Sequence, residues 1–326
     1  MTPMAESMGS HFWMASLMLQ RKAGHLLLRG AMHWRWARSW RQPTSLAKRS
    51  GTLTSAGSKR IRNRAGGDVS ILGLGGNDRT TPQMVDRAVR SGINYLFFYS
   101  TRFEGMVEGV RYACRDKRDS IVVATGTEDR SPAAIKRFVD EVSAGVGIDV
   151  IDVLFAEYVS PDEDMACILG DGGAVGAIEE LKSAGRVRYV GLSVHDRDLG
   201  TKIVETGRVD VLMHRYNMAH RKSEAQLLPT ALTHNVPVVA FTCTRWGSLL
   251  RGHPDWHGSV PTGVECYRFA LAHPAVELAM TAPGSVAELD ANLQTLDGKT
   301  VDAGDWNAYG DLIYGQGMDA FETRWP

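Results

Sequence analysis

Cysteine is scarce in this 326-residue chain, and its four copies, Cys114, Cys167, Cys243 and Cys266, stand far apart with no CxxC pair. That spacing speaks against a zinc knuckle, an iron–sulfur tail or a thioredoxin-type motif, and it suits a reducing compartment. No apolar run approaches the ~20 residues that a membrane-spanning helix needs. Acid is almost missing from one end. Residues 1–66 hold 12 Lys and Arg but only Glu6, although the whole chain has 37 of each sign. The remainder is therefore acidic by eleven charges, which excludes a broad basic surface for nucleic acid. His253 and His257 have i,i+4 spacing, but Pro254 between them opposes a zinc-binding helix.

The first 66 residues are Arg-rich and carry Trp34, Trp36 and Trp40. Their apolar patches are too short and broken for a secretory signal. Three readings stand open: an organelle transit segment, an amphipathic arm for anionic surfaces, or sequence upstream of a later start at Met8, Met14, Met18 or Met32. The expectation is a disordered or targeting extension without a catalytic role, an ordered barrel over 67–299, and a tail over 300–326. Trp306, Tyr309, Tyr314, Phe321 and Trp325 in the tail would pack on or over the barrel. The expected location is cytoplasmic, or an organelle if residues 1–66 are a transit segment. The oligomeric state is not legible.

From residue 67 the pattern becomes regular. Short β-rich runs at 69–75, 94–99, 120–125, 150–157, 187–193, 209–216, 236–241 and 276–282 alternate with segments of helical periodicity. Helices are expected to begin near Thr81, Glu104, Pro132, Ala174, Arg197, Glu224, Thr262 and Val286. Such alternation predicts parallel βαβ units. Eight of them in roughly 230 residues favour an α/β fold, a (β/α)8 TIM barrel, over an open doubly wound sheet. Ser131-Pro132 reads as an N-cap with Pro at the first helical position, and Ser285 with Glu288 as a capping box. The segment GDGGAVG (170–176) lacks the last Gly of a dinucleotide fingerprint and reads as a loop entering a helix.

Four segments carry a family resemblance. AIEELKSAGRVRYVGLSVHD (177–196) is similar to the "eGKvRyiGvSN" region of the aldo-keto reductases. SGINYLFFY resembles their second strand, RYNMAHR (215–221) their "eYNllhR", and residues 271–296 their last strand and phosphate-binding helix. The resemblance spans residues 69–296 and implies a barrel that binds NADP or NAD across its C-terminal mouth. It also implies hydride transfer to a small carbonyl or enone. In that family a Tyr donates the proton, with Lys and Asp tuning it and a His orienting the substrate. Those four positions fall here on Arg102 (Tyr), Gly126 (Lys), Phe97 (Asp) and Glu157 (His).

The chemistry still needs a positioned acid for the developing alkoxide. Glu157, Tyr99 and Arg102 are the catalytic candidates: Glu157 ends the fourth strand, Tyr99 shares a strand face with Phe97, and Arg102 would hold an anion or pair with Glu157. Some steroid double-bond reductases of the family have Glu at the His position, where a protonated carboxyl activates an enone. For the cofactor, the resemblance implies Ser193, Tyr216, Asn217 and Phe241 around the nicotinamide, and Gly284, Ser285 and Asn292 at the phosphate end. Structural roles stand beside these: Tyr99 as rim packing, Glu157 with Arg102 as a rim ion pair, and His214 as strand packing; His195, at the end of the fifth strand, either reaches the pocket or is a satisfied loop residue. The leading expectation is a divergent NAD(P)-dependent oxidoreductase. The alternatives are a barrel that binds a dinucleotide or metabolite without turnover, and a lyase or isomerase.

Overall fold

Eight parallel strands, hydrogen-bonded in sequence order with β1 closing onto β8, form a barrel in the computed structural model, which describes residues 60–299, 301 and 304–316. The strands are β1 (Leu72–Gly75), β2 (Tyr95–Phe98), β3 (Val122–Thr127), β4 (Ile151–Val159), β5 (Val187–Val194), β6 (Val211–Arg215), β7 (Val238–Phe241) and β8 (Val276–Thr281). Around them run α1 (Pro82–Arg90), α2 (Glu104–Lys117), α3 (Pro132–Val146), α4 (Met165–Leu169), α5 (Ala174–Ser183), α6 (Arg197–Glu205), α7 (Leu227–Thr233), α8 (Gly263–Leu271), α9 (Val286–Leu293) and α10 (Gly304–Gly315). Among the described residues no helix is long and apolar enough to cross a membrane.

Helix boundaries follow local chemistry. Thr81 and Ser131 cap α1 and α3 by accepting from Met84 N and Ala134 N, each with Pro at the first helical position. Helix α5 buries Val175, Ile178 and Leu181, and Gly185, at φ 73°, ends it. Two expectations change. The helix near Glu224 is a 3-10 turn over Lys222–Ala225, and α7 begins only at Leu227, because Gln226 between them leaves helical backbone geometry. At α9, Ser285 caps Glu288 N, but Glu288 reaches back to Gly284 N, one residue before the cap.

Alternation along the strands sorts the core into two layers. One set packs between sheet and helices. The other fills the lumen: Tyr95, Phe97, Val122, Ala124, Val153, Phe155, Val211, Met213, Val239, Leu278 and Met280. Ile61 and Val69 join the lumen set, and Ile61 is fully buried. Packing on the barrel thus starts six residues before Gly67. Arg188 holds this entry segment by donating to Arg62 O (2.9 Å) and Asn63 O (3.2 Å). The same guanidinium pairs with the buried Asp152 at 2.8 Å, whose other oxygen pairs with Arg118 and accepts from Val123 N. Residues 1–59, Phe321 and Trp325, for which an extension and an aromatic tail were expected, lie outside the described residues.

At the other end, α10 lies against loops that follow β6 and β7. Tyr309, fully buried, donates to Leu249 O (2.7 Å), and its ring meets Trp256. Arg221 pairs with Asp311, and Tyr314 stacks edge-on against His220.

Candidate active site

The lumen-facing residues at the C-terminal strand ends form the mouth where barrel enzymes place their chemistry. On β4, Val153 and Phe155 lie in the lumen core, so Glu157, two residues on, faces the same way. A bulge sharpens its direction. Ala156 pairs with Leu192 and Val159 with Val194, so β4 has one residue more than β5 there, and Tyr158 takes a left-handed backbone at φ 56°. Glu157 leans over β3. A Cβ on Gly126 would meet Glu157 Oε1 at 2.8 Å, with Cδ and Cγ closer still. The carboxyl therefore occupies the space that any side chain at Gly126 would need.

Glu157 keeps some exposure through the mouth, yet protein encloses its carboxyl. Burial pushes its pKa up to about 8, helped by Glu128 and opposed by Arg130. At neutral pH much of it is therefore the neutral acid, able to donate a proton. Beneath it, Phe97 meets Phe155 edge-to-face at 6.0 Å, and the fully buried Tyr95 hydroxyl has no hydrogen-bond partner. Tyr99 rests on Phe103, ring centroids 4.9 Å apart, and stays partly exposed. Burial first and the charge of Glu157 second raise its pKa, so the phenol is protonated near the acid. Arg102 is exposed, and its described hydrogen bond runs from its backbone N–H to Ser100 Oγ. The cation next to Glu157 is instead Arg130, which donates to Glu157 O (2.8 Å) and pairs with Glu163.

The residues named for the cofactor divide. Ser193 and Phe241 face the lumen on β5 and β7. Tyr216 is turned outward into the sheet–helix core, donating to Glu224 Oε1 (2.7 Å). Asn217 is fully buried as a loop tie: Nδ2 donates to Thr242 O (2.8 Å), and Oδ1 accepts from Ala219 N and His220 N. Asn292 donates to Thr281 Oγ1 (3.0 Å), which also accepts from Tyr267. These three side chains are committed to protein partners. Gly284 and Ser285 do stand at the start of α9. Arg79 lies against Gly284, its Nη1 3.3 Å from where a Cβ would be, and the Glu288 carboxylate accepts from Gly284 N. The set fits a dinucleotide at the nicotinamide side, through Ser193 and Phe241; at the α9 start Arg79 offers a cation, while the Gly284 N–H is taken by Glu288.

Arg215 escaped the sequence reading, and His195, expected as a satisfied loop residue or as one reaching the pocket, stands at the mouth with it. Arg215 ends β6 with the lumen parity of Val211 and Met213, and is 4% exposed. His195, one residue past β5, is 7% exposed. Its ring lies between Tyr158 and Phe241, each 5.0 Å away, and its Nδ1 has no partner. His214 faces outward, its Nδ1 2.8 Å from Val194 O, as expected of a packed strand residue. The alternation of VLMHR would have found Arg215. Among the described residues no three His, Cys, Asp or Glu side chains gather as a metal-ligand set.

Comparison with known proteins now settles the family. Residues 72–255 match the model of the aldo/keto reductase family. The chain belongs to the aldo/keto reductase family. Among its relatives, an L-galactose dehydrogenase of Arabidopsis thaliana is 25% identical over 207 residues, 58% of this chain and 63% of that protein. An NADH-specific methylglyoxal reductase of Escherichia coli is 27% identical over 119 residues, 36% of each chain. The match thus spans less than two thirds of these relatives. An aldo-keto reductase from Bacillus halodurans (holo form) superposes with a TM-score of 0.63 at 22% identity, over 78% of this chain and 96% of that one. Another from Klebsiella pneumoniae, in complex with NADPH, gives 0.61 at 21%, over 81% and 98%. These likenesses bear on the fold.

Proposed function

We propose that this aldo/keto reductase family member reduces a small carbonyl or enone with a nicotinamide dinucleotide, and that Glu157 is its proton donor. The supporting observation is the Glu157 carboxyl, protonated into the neutral range, lying over Gly126 in the lumen. When bound, the reduced nicotinamide supplies the hydride. Ser193 and Phe241 would hold its ring side, and Arg79 its phosphate side. As the carbonyl π bond breaks, the proton of Glu157 passes to the developing alkoxide and leaves a carboxylate. Solvent reaching the mouth returns that proton. Tyr99, protonated and close to Glu157, would donate a hydrogen bond to the same oxygen. Phe97, Phe155 and Tyr95 close the lumen below and keep the transfer away from bulk water. The Glu288 carboxylate at Gly284 N opposes a second anion there, which supports NADH over NADPH.

The test is a titration of the purified chain with NADH and NADPH, read by nicotinamide fluorescence, followed by a carbonyl and enone panel. Saturable NADH binding with turnover that collapses in Glu157→Gln is the expected result. Absence of binding for both cofactors at millimolar concentration would remove the reductase reading. Binding without turnover across the panel would leave a dinucleotide-binding barrel. Turnover unchanged in Glu157→Gln would remove Glu157 as the acid.

A further inference from the structure

We propose that Glu163 is a positioning residue for the acid: by holding Arg130 in a two-point clamp, it keeps that guanidinium off the carboxyl of Glu157. The clamp itself rests on the geometry that follows. Its catalytic consequence rests on the reading of Glu157 as the proton donor.

Arg130 is already anchored on Glu157, since its Nη2 donates to the backbone O of that residue at 2.8 Å. From there a side-chain rotation would carry the guanidinium toward the carboxyl. A carboxyl beside a guanidinium ionises about one to three pH units lower, so that rotation would turn the acid into a carboxylate. The fork is engaged elsewhere. Nε donates to Glu163 Oε2 (2.6 Å) and Nη2 to Glu163 Oε1 (3.0 Å), a bidentate pair, and Nη1 lies 3.4 Å from Asp129 O. The two side chains are 19% and 26% exposed, so salt and water screen them less than a surface pair.

Glu163 is itself fixed. Its Oε1 accepts from Ser160 N (2.9 Å), and its N–H donates to Ser160 O (3.0 Å), closing a turn directly after β4. Beside it Asp164 caps α4 by accepting from Ala166 N (2.9 Å). The strand that presents Glu157 thus leads straight into the carboxylate that holds the neighbouring cation away.

Charge reaches Glu157 from few directions. The β3–α3 loop brings Glu128, which favours the neutral carboxyl, and Arg130, which opposes it. From β2 and its end come two phenols, Tyr95 and Tyr99, whose protons the charge of Glu157 helps to retain. Among the described residues Arg130 is therefore the cation that acts on Glu157, and Glu163 sets where its guanidinium lies.

A carboxyl NMR titration of Glu157 in the full chain tests the clamp without any cofactor. Glu163→Gln keeps an oxygen for Ser160 N but loses the charge that holds Arg130. The Glu157 midpoint, about 8 in the wild type, is expected to fall by at least ~1 pH unit, the lower end for a carboxyl paired with a guanidinium. In the double variant Arg130→Met with Glu163→Gln no guanidinium remains to turn, and the midpoint should return to about 8 or above. A midpoint that stays put in Glu163→Gln would overturn the clamp. So would a fall that persists in the double variant, because water entering an opened loop would then be its cause. If Glu163→Gln does not fold, Glu163→Asp, whose carboxylate stops one carbon short of the fork, must show the same fall and the same rescue by Arg130→Met. Turnover near neutral pH separates the two readings. Loss of kcat in Glu163→Gln with recovery in the double variant supports both. A titration that behaves as expected while turnover ignores both variants leaves the clamp and removes Glu157 as the donor. Turnover that collapses in Glu157→Gln, with an unmoved Glu157 midpoint in Glu163→Gln, leaves the donor and removes the clamp.

Discussion

The carboxyl of Glu157 occupies the space that any side chain at Gly126 would need, its Oε1 lying 2.8 Å from the position of a Cβ there. The absence of a side chain at Gly126 on β3 leaves the space that the acid on β4 fills. Gly126→Ala should push the carboxyl out of its enclosure. We expect a loss of about 1–3 kcal/mol, as for overpacking of a filled interior. The Glu157 titration should fall toward the ordinary carboxylate range as water reaches it. Thermal unfolding and a carboxyl NMR titration would check both. Unchanged values for the variant would mean that Glu157 is not confined by Gly126.

Titration of Glu157 gives the pH dependence a sign. Its folded pKa, about 8, lies above the ordinary 4.5, so the folded state holds the proton more tightly than the unfolded chain. The resulting stabilisation is full below pH ~4.5 and is lost as pH rises through 8. Glu157→Gln, which has no proton to lose, should therefore gain on the wild type between pH 5 and 9. The gain is expected to be on the order of 2 kcal/mol, less than the full shift implies because solvent reaches the mouth. Denaturant unfolding at several pH values reads it. Turnover, if Glu157 is the donor, should fall above pH 8 in the wild type; a flat profile to pH 9.5 would contradict that role.

Sequence pattern made the scaffold legible and the site only in part. Alternation and helical periodicity locate all eight strands because each buries a face, and burial forces the spacing. Capping chemistry placed α3 and α9 for the same local reason. Letters of a motif are a weaker guide to side-chain direction. Tyr216, Asn217 and Asn292 match the family's pattern, yet their polar atoms are used by Glu224, Thr242 and Thr281 inside the protein. The pairing of Glu157 with Gly126 joins residues of different strands, and nothing local announces it. Arg102 shows the converse: it fills a motif position but faces solvent, while Arg130 takes the place beside Glu157.

Ile61 seals the lumen from below, and its removal should be felt although it lies outside every strand. The side chain is fully buried among lumen residues. Ile61→Ala is expected to cost about 2–5 kcal/mol, the range for emptying a core site. Deleting residues 1–66 should therefore destabilise the barrel, whereas deleting 1–58 spares this contact. Comparing melting temperatures of the two truncations tests the point; equal values would show that Ile61 contributes nothing.

Asp152 is the other fixed point at that end. It is fully buried between Arg118 and Arg188, each 2.8 Å away, and accepts Val123 N as well. Removing the carboxylate leaves two cations and a backbone N–H without their acceptor. Breaking a buried pair by deleting one partner costs about 3–5 kcal/mol, far more than the pair itself contributes over an apolar pair. Asp152→Ala should therefore unfold at markedly lower denaturant. Arg118→Met, which leaves Arg188 on the carboxylate, should lose less. Because Arg188 also holds the carbonyls of Arg62 and Asn63, Asp152→Ala should speed amide exchange in residues 61–64 ahead of global unfolding. Exchange at 61–64 that merely tracks the global transition would show that Asp152 supports the barrel without anchoring its entry segment.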